Sequence, residues 1–214
     1  MATARRSKPR ATYHHGDLRA ALVEAGLALA REGGPQAVVL REATRRAGVA
    51  PNAAYRHFAG HQALFEAVRA AALGALARAI EHEMQKAEAL ADPAERARAM
   101  LAAVGRGYLG FAQAETGWFL TAFASGAFDV EVSPDPARTA DKGLNPFELL
   151  CYALDAMVQA GVLPAERRPG AEFLAWSSVH GMALLIIDGP LRRAPLAARL
   201  ALGARLLRMV ENGL

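Results

Sequence analysis

Several residue groups in this chain have the types and spacing for chemistry. His57 and His61 stand four apart, as two metal ligands on one helical face would. Phe58-Ala59-Gly60 breaks any helix between them and no third ligand follows, so no metal is expected. Ser177 and Ser178 precede His180, which suggests a nucleophile and its base. There is no G-x-S-x-G elbow and no strand to carry one, so neither a hydrolase nor any catalytic residue is expected. The single cysteine, Cys151, excludes an internal disulfide and a multi-cysteine metal site, and nothing calls for a cofactor. What remains is recognition. Between Val39 and Phe58 stand Arg41, Arg45, Arg46 and Arg56 against one acid, Glu42. Tyr55 and His57 add neutral groups suited to phosphate contact, and the Asn52 amide can pair with adenine.

The elements that must position these residues are short. Leu40 to Ala47 reads as one helix, followed by a tight turn over Ala47-Gly48-Val49 with Gly48 at positive φ. Pro51 suits the first turn of a second helix, which has room for about two turns before Phe58. Two short helices joined this way form a helix-turn-helix, whose second helix enters the major groove of double-stranded DNA. Ala53 and Ala54 are small enough to let the backbone approach the groove. The alternatives are a solvated basic helix pair in an ordinary bundle, and a helical small-molecule or protein-binding sensor whose basic end meets an acidic protein partner instead of DNA.

L-R-E-A-T-R-R-A-G-V-A-P-N-A-A-Y-R-H-F-A-G-H-Q-A-L-F at 40–65 resembles the DNA-binding signature of the TetR/AcrR family of transcriptional repressors. A-G-V at 47–49, Y-R-H-F at 55–58 and A-L-F at 63–65 carry most of the likeness. Y-H-H-G-D-L-R at 13–19 and W-S-S-V-H-G at 176–181 resemble a subgroup with a Trp-His-Gly motif in its C-terminal domain. The stretch from about 85 to 165 carries no such motif. The sequence departs from the family in four places. Val39 and Ala50 replace the usual Ser or Thr caps, each absence worth on the order of 1 kcal/mol. Ala43-Thr44 replaces a larger aliphatic followed by alanine, and His61 stands where lysine is common. The resemblance implies a ligand-responsive repressor with DNA contacts from Arg41, Arg45, Asn52, Ala53, Tyr55, Arg56, His57 and His61.

Composition fits an all-α protein. Hydrophobic residues make up 53% of the 214 and aromatics 7%, enough apolar surface for a core, in an alanine-rich chain that favours helix. V-V-L at 38–40 and D-V-E-V at 129–132 are the only strand candidates. Net charge is +4 and unevenly spread. Residues 1–70 hold 11 Lys/Arg and 5 Asp/Glu, against 14 and 16 in residues 71–214, so a polyanion belongs at the N-terminal third. No apolar stretch precedes Leu18 and the run from Phe173 to Ile187 is too short and too polar to span a bilayer. A cytoplasmic protein with no membrane partner is expected.

Residues 1–60 are expected to form the DNA-binding domain. Its basic arm, Met1 to Ala11, either follows the minor groove or is a solubilising tail. Asp17 reads as the N-cap of the first helix, and Phe58 as the residue that seals the unit. Residues 61–214 are expected to bind a ligand and dimerise. A long helix from His61 to about Ala89 joins the two parts without a flexible tether. Asp92-Pro93-Ala94-Glu95 and Asn145-Pro146-Phe147-Glu148 read as capping boxes. Thr116-Gly117 reads as a break, and Ala127–Leu144 as a loop, either a lid or a mobile connection. By the resemblance, Tyr108, Phe111, Trp118, Phe119, Phe123 and Phe147 line a ligand cavity; the alternative is ordinary core. Few charges lie near them, which points to an apolar or aromatic small-molecule effector. Trp176 and His180 share a face one turn apart, and His180 is either a structural residue or a donor to the ligand. The helix ending at Ile187 is apolar nearly all round and needs cover on both sides. A homodimer through Trp176, Leu184, Ile187, Leu202 and Leu206 would supply it, and would require a roughly palindromic operator.

Overall fold

The computed structural model describes residues 18–124 and 135–214. The basic arm, the Asp17 cap, the D-V-E-V stretch and most of the Tyr13–Arg19 motif lie outside the described residues.

The described chain is all-α. Three helices come first: α1 (Leu18–Gly33) and the two short ones, α2 (Leu40–Arg46) and α3 (Pro51–Ala54). Leu22, Leu29 and Ala30 of α1, Val38, Leu40, Ala54 and Phe58 close a first core with Leu64, Phe65 and Val68 of α4 (His61–Glu88). The first packing unit therefore reaches eight residues past Gly60. Phe58 is buried, as its place after the recognition segment suggested.

α4 does not carry a single stripe. Its buried residues include Ala70, Ala72, Gly74, Leu76, Ala77, Ile80, Glu81 and Met84, over more than half of its circumference, and Arg78, His82, Gln85 and Lys86 form the exposed face. It is the central strut. α5 (Pro93–Ala114) lies along it, and α6 (Thr116–Ala122), α7 (Pro146–Gln159), α8 (Ala171–Ile187) and α9 (Leu196–Gly213) complete the second core. Asp92 caps α5 by accepting from Glu95 N (2.7 Å), and Asn145 with Glu148 forms a complete capping box on α7. The break before α6 falls at Glu115, so Gly117 lies inside that helix. Its role is close approach: a Cβ there would collide with the carbonyls of Ala30 and Arg31 on α1.

The part of the 127–144 connection that is described is not free. A short 3-10 turn at Pro136–Arg138 lies on α4, and Ala140 is buried. Glu81 explains the attachment. This α4 carboxylate is 3% exposed and accepts from the backbone N–H groups of Asp141 (3.0 Å) and Lys142 (3.1 Å). Glu81→Leu should leave both donors without an acceptor and lower stability by about 2 kcal/mol. Glu81→Gln, which keeps one acceptor oxygen, should lose about half of that. Urea unfolding of the two variants checks the order.

Candidate DNA-binding surface and ligand cavity

The helix-turn-helix is built with little local help. Val39 and Ala50, the N-caps of α2 and α3, make no side-chain capping bond. Gly48 has φ +70°, as the turn requires. α3 holds only Pro51–Ala54, and Tyr55, Arg56 and His57 continue as a turn. The expected two-turn helix is thus one turn plus an extension, because nothing caps its start and Phe58 is drawn into the core. Asn52, Tyr55, Arg56 and His57 are exposed on one end of the molecule, with Ala53 half-buried. Ala54, on the inner face of α3, is fully buried in the first core, so it does not face the DNA groove.

The arginines differ. Arg41 is exposed. Arg45 donates to Glu42 (Nε–Oε2 2.9 Å), and this bond holds the Glu42 carboxyl below its ordinary range. Arg46 binds Glu32 of α1 through both nitrogens (2.7 and 2.8 Å), which turns it toward the scaffold. His61 sits 2.7 Å from the Val38 carbonyl through Nε2. A carbonyl only accepts, so Nε2 carries the hydrogen, and the ring ties the start of α4 to the segment before α2. Its ring also stacks on Phe65 at 6.2 Å.

The second site is a small apolar cavity of about 40 Å³ between α5, the end of α6, α7, α8 and α9. Tyr108, Phe123, Phe147 and Trp176 line it. Leu101, Val104, Gly105, Leu150, Val179 and Leu207 complete the wall; these aliphatic residues escaped a sequence reading centred on aromatics, although Leu101 and Val104 share the α5 stripe with Tyr108. Phe119 is fully buried behind the wall, edge-on to Tyr108 at 5.4 Å. His180 lies beside it, with Nδ1 2.8 Å from the Tyr108 hydroxyl.

That hydroxyl is the polar centre of the cavity. It accepts from Trp176 Nε1 (3.2 Å) and pairs with His180. Burial raises the Tyr108 pKa well above the phenol range, opposed by the Trp176 bond, and burial lowers that of His180. Both are therefore neutral at pH 7. The pair offers a hydroxyl and an imidazole, and no fixed charge, to whatever enters.

Phe111 and Trp118 do not line this cavity. Phe111 lies toward an outer groove between α4, α5 and α9. Trp118 faces α1: its Nε1 donates to the Leu27 carbonyl (2.6 Å), and the Arg31 guanidinium lies 4.4 Å over its ring. Arg31 also forms a two-nitrogen ion pair with Glu115. Residues 84 apart make this clamp, so no local pattern could have revealed it.

On α8, Leu184 is 41% exposed and Ile187 half-buried. On α9, Leu202 is 37% exposed and Leu206 half-buried. Trp176, expected on the dimer face, is turned inward to Tyr108. The exposed stripe on α8 runs instead through Phe173, Leu174, Gly181, Leu184 and Leu185.

Comparison with known proteins agrees with this architecture. Residues 22–68 match the bacterial regulatory proteins of the tetR family, and residues 101–210 match the tetracyclin repressor-like C-terminal domain. The chain belongs to the TetR family. It is accordingly a ligand-responsive, DNA-binding transcriptional repressor that acts as a dimer. No curated protein matches it. A protein of unknown function from Rhodococcus sp. RHA1 has a similar structure, with TM-score 0.70, 26% identity, and coverage of 93% of this chain and 98% of that one. The FadR regulator of Bacillus subtilis, solved with stearoyl-CoA, shares the fold at TM-score 0.63 and 14% identity, covering 92% and 99%. Among the described residues no helix is long and apolar enough to cross a membrane, and no cluster of three or more potential metal ligands occurs.

Proposed function

We propose that residues 1–60, completed by the first turns of α4, bind a roughly palindromic operator, and that residues 61–214 form the ligand-binding and dimerisation domain. Arg41, Tyr55, Arg56 and His57 contact phosphates, and Arg45 joins them by exchanging Glu42 for a phosphate. Asn52 and Ala53 face base edges. His61 meets a phosphate only through its remaining nitrogen, Nδ1. The half-site centres lie about 34–36 Å apart or a multiple of that. The protein works in the cytoplasm and carries no catalytic activity of its own.

The effector is small, uncharged and apolar or aromatic, with one polar group. The neutral Tyr108–His180 pair in an apolar wall carries this reading, because an unpaired ion would be desolvated there without a countercharge. The cavity of about 40 Å³ is far below the ~300–1,000 Å³ of small-molecule sites, so entry must displace side chains. Phe123 and Phe119 are the residues in its path, and both sit on or beside α6. The far face of α6 carries the Trp118–Leu27 and Glu115–Arg31 contacts to α1. Ligand entry therefore displaces α6 and, through these contacts, α1, as well as pressing on α4; this changes the spacing of the two recognition segments and releases DNA. Trp176, His180 and Gly181 of the Trp-His-Gly motif divide the work: two position Tyr108, and the third opens the dimer face.

The test is a gel shift on DNA from upstream of the coding region. Affinity should fall steeply with salt, roughly in proportion to the number of phosphates contacted. Arg41→Ala should weaken all sequences and reduce the salt slope by about 1, whereas Asn52→Ala should change base preference at about 1–3 kcal/mol. No shift at low salt would point instead to an acidic protein partner, and a shift indifferent to salt would overturn the phosphate contacts.

A further inference from the structure

We propose a second ligand site, in the outer groove between α4, α5 and α9, for an amphipathic small molecule with an anionic head and an adjacent hydroxyl. It does not rest on the central cavity. The groove encloses about 720 Å³, within the ~300–1,000 Å³ range of small-molecule sites. Its apolar surface comes from Leu109, Ile186 and Leu200, and Gly110 lies in it with nothing within 4 Å of a Cβ built there.

The polar groups at one end are left incomplete. α5 and α9 run antiparallel: Gly105 meets Leu207, and Leu109 meets Gly203. The same register sets Gln113 opposite Arg199. The Gln113 amide nitrogen donates to the Leu109 carbonyl (3.1 Å), which fixes the orientation of the group. Its Oε1 is buried with no hydrogen-bond partner, and so is the Nε of Arg199. An acceptor and a cationic donor thus stand unpaired in one place, where each lacks the partner a buried polar group needs.

Charge selects the head group. The acids of the groove are already engaged, Glu83 by Lys86 (2.6 Å) and Arg106 (3.3 Å) and Glu211 by Arg98 (2.9 Å). Among the described residues, Arg199 and Arg208 make no ion pair. A carboxylate suits them, and a neighbouring hydroxyl donates to Gln113 Oε1, which a carboxylate alone cannot do. The face is not that of the dimer: Leu202 and Met209 are exposed on the other side of α9, while Gly203 and Leu207 line the groove.

The probe is 3-hydroxydecanoate, titrated calorimetrically into the intact dimer beside decanoate and 1,3-decanediol. The hydroxy acid should bind best. Decanoate, without the hydroxyl, should be several-fold weaker, and the diol, without the charge, at least about tenfold weaker. Arg199→Met should weaken the hydroxy acid at least about tenfold. Gly110→Leu should abolish binding without lowering the melting temperature, since the new side chain enters open space and leucine favours helix over glycine. No binding to the wild type, equal binding by Gly110→Leu, or a diol that binds as tightly as the acid would overturn the proposal.

Discussion

Leu184→Glu should convert the dimer to folded monomers and remove operator binding. The leucine is 41% exposed in one subunit, so glutamate is tolerated there while the subunit is alone. In a two-fold interface each substitution enters beside its symmetry mate, and Gly181 one turn away lets the helices come close. A carboxylate buried without a partner costs about 3–5 kcal/mol, which raises the dimer dissociation constant at least about 100-fold. DNA affinity falls further, because a monomer loses the effective concentration that the second half-site provides, worth about 10²–10⁴. Light scattering at micromolar concentration should give the monomer mass with helical circular dichroism intact. A persistent dimer would move the interface off α8.

Trp118→Ala should sever the response to effector. The substitution removes the bond to Leu27, the ring beneath Arg31 and part of the packing between the two cores. A loss of about 3–5 kcal/mol in stability is expected for a large aromatic at such a place. Reciprocal linkage between effector and operator, typically about 5–150-fold in this kind of coupling, should shrink toward unity. Trp118→Phe keeps the ring and loses only the hydrogen bond, so it should retain most of the coupling. Calorimetry of any molecule that releases the operator, with and without saturating DNA, gives the coupling directly. An undiminished factor in Trp118→Ala would mean that α4 carries the signal alone.

The helices and their order were legible because the signals are local: proline and asparagine or aspartate at the starts of α5 and α7, glycine at the α2–α3 turn, and apolar spacing between. The helix-turn-helix was also legible, since its two short helices and the glycine turn lie within twenty consecutive residues. The length of α3 was not. Burial of Phe58, a tertiary contact, bends the chain away before a second turn completes. Aromatic content located the second core but could not sort its members. Tyr108 and Trp118 are equally plausible wall residues in the sequence; only the fold turns one to His180 and the other to Leu27. The Glu81 anchor had no local sign, because a glutamate in a long helix is usually solvated.

The close approaches at Gly107 and Gly117 have a mechanical consequence. A Cβ at Gly107 would lie 2.7 Å from the Ile80 Cα, so α5 rides on α4 main chain to main chain, as α6 does on α1. Such contacts contain no rotamers to yield. The cavity walls on α7 and α8 meet through Phe147, Leu150 and Trp176, which can turn. On the proposed function, the effector is accommodated on the compliant side, and the stiff side passes its displacement on. A push absorbed nowhere else arrives at the DNA-reading end as movement of whole helices.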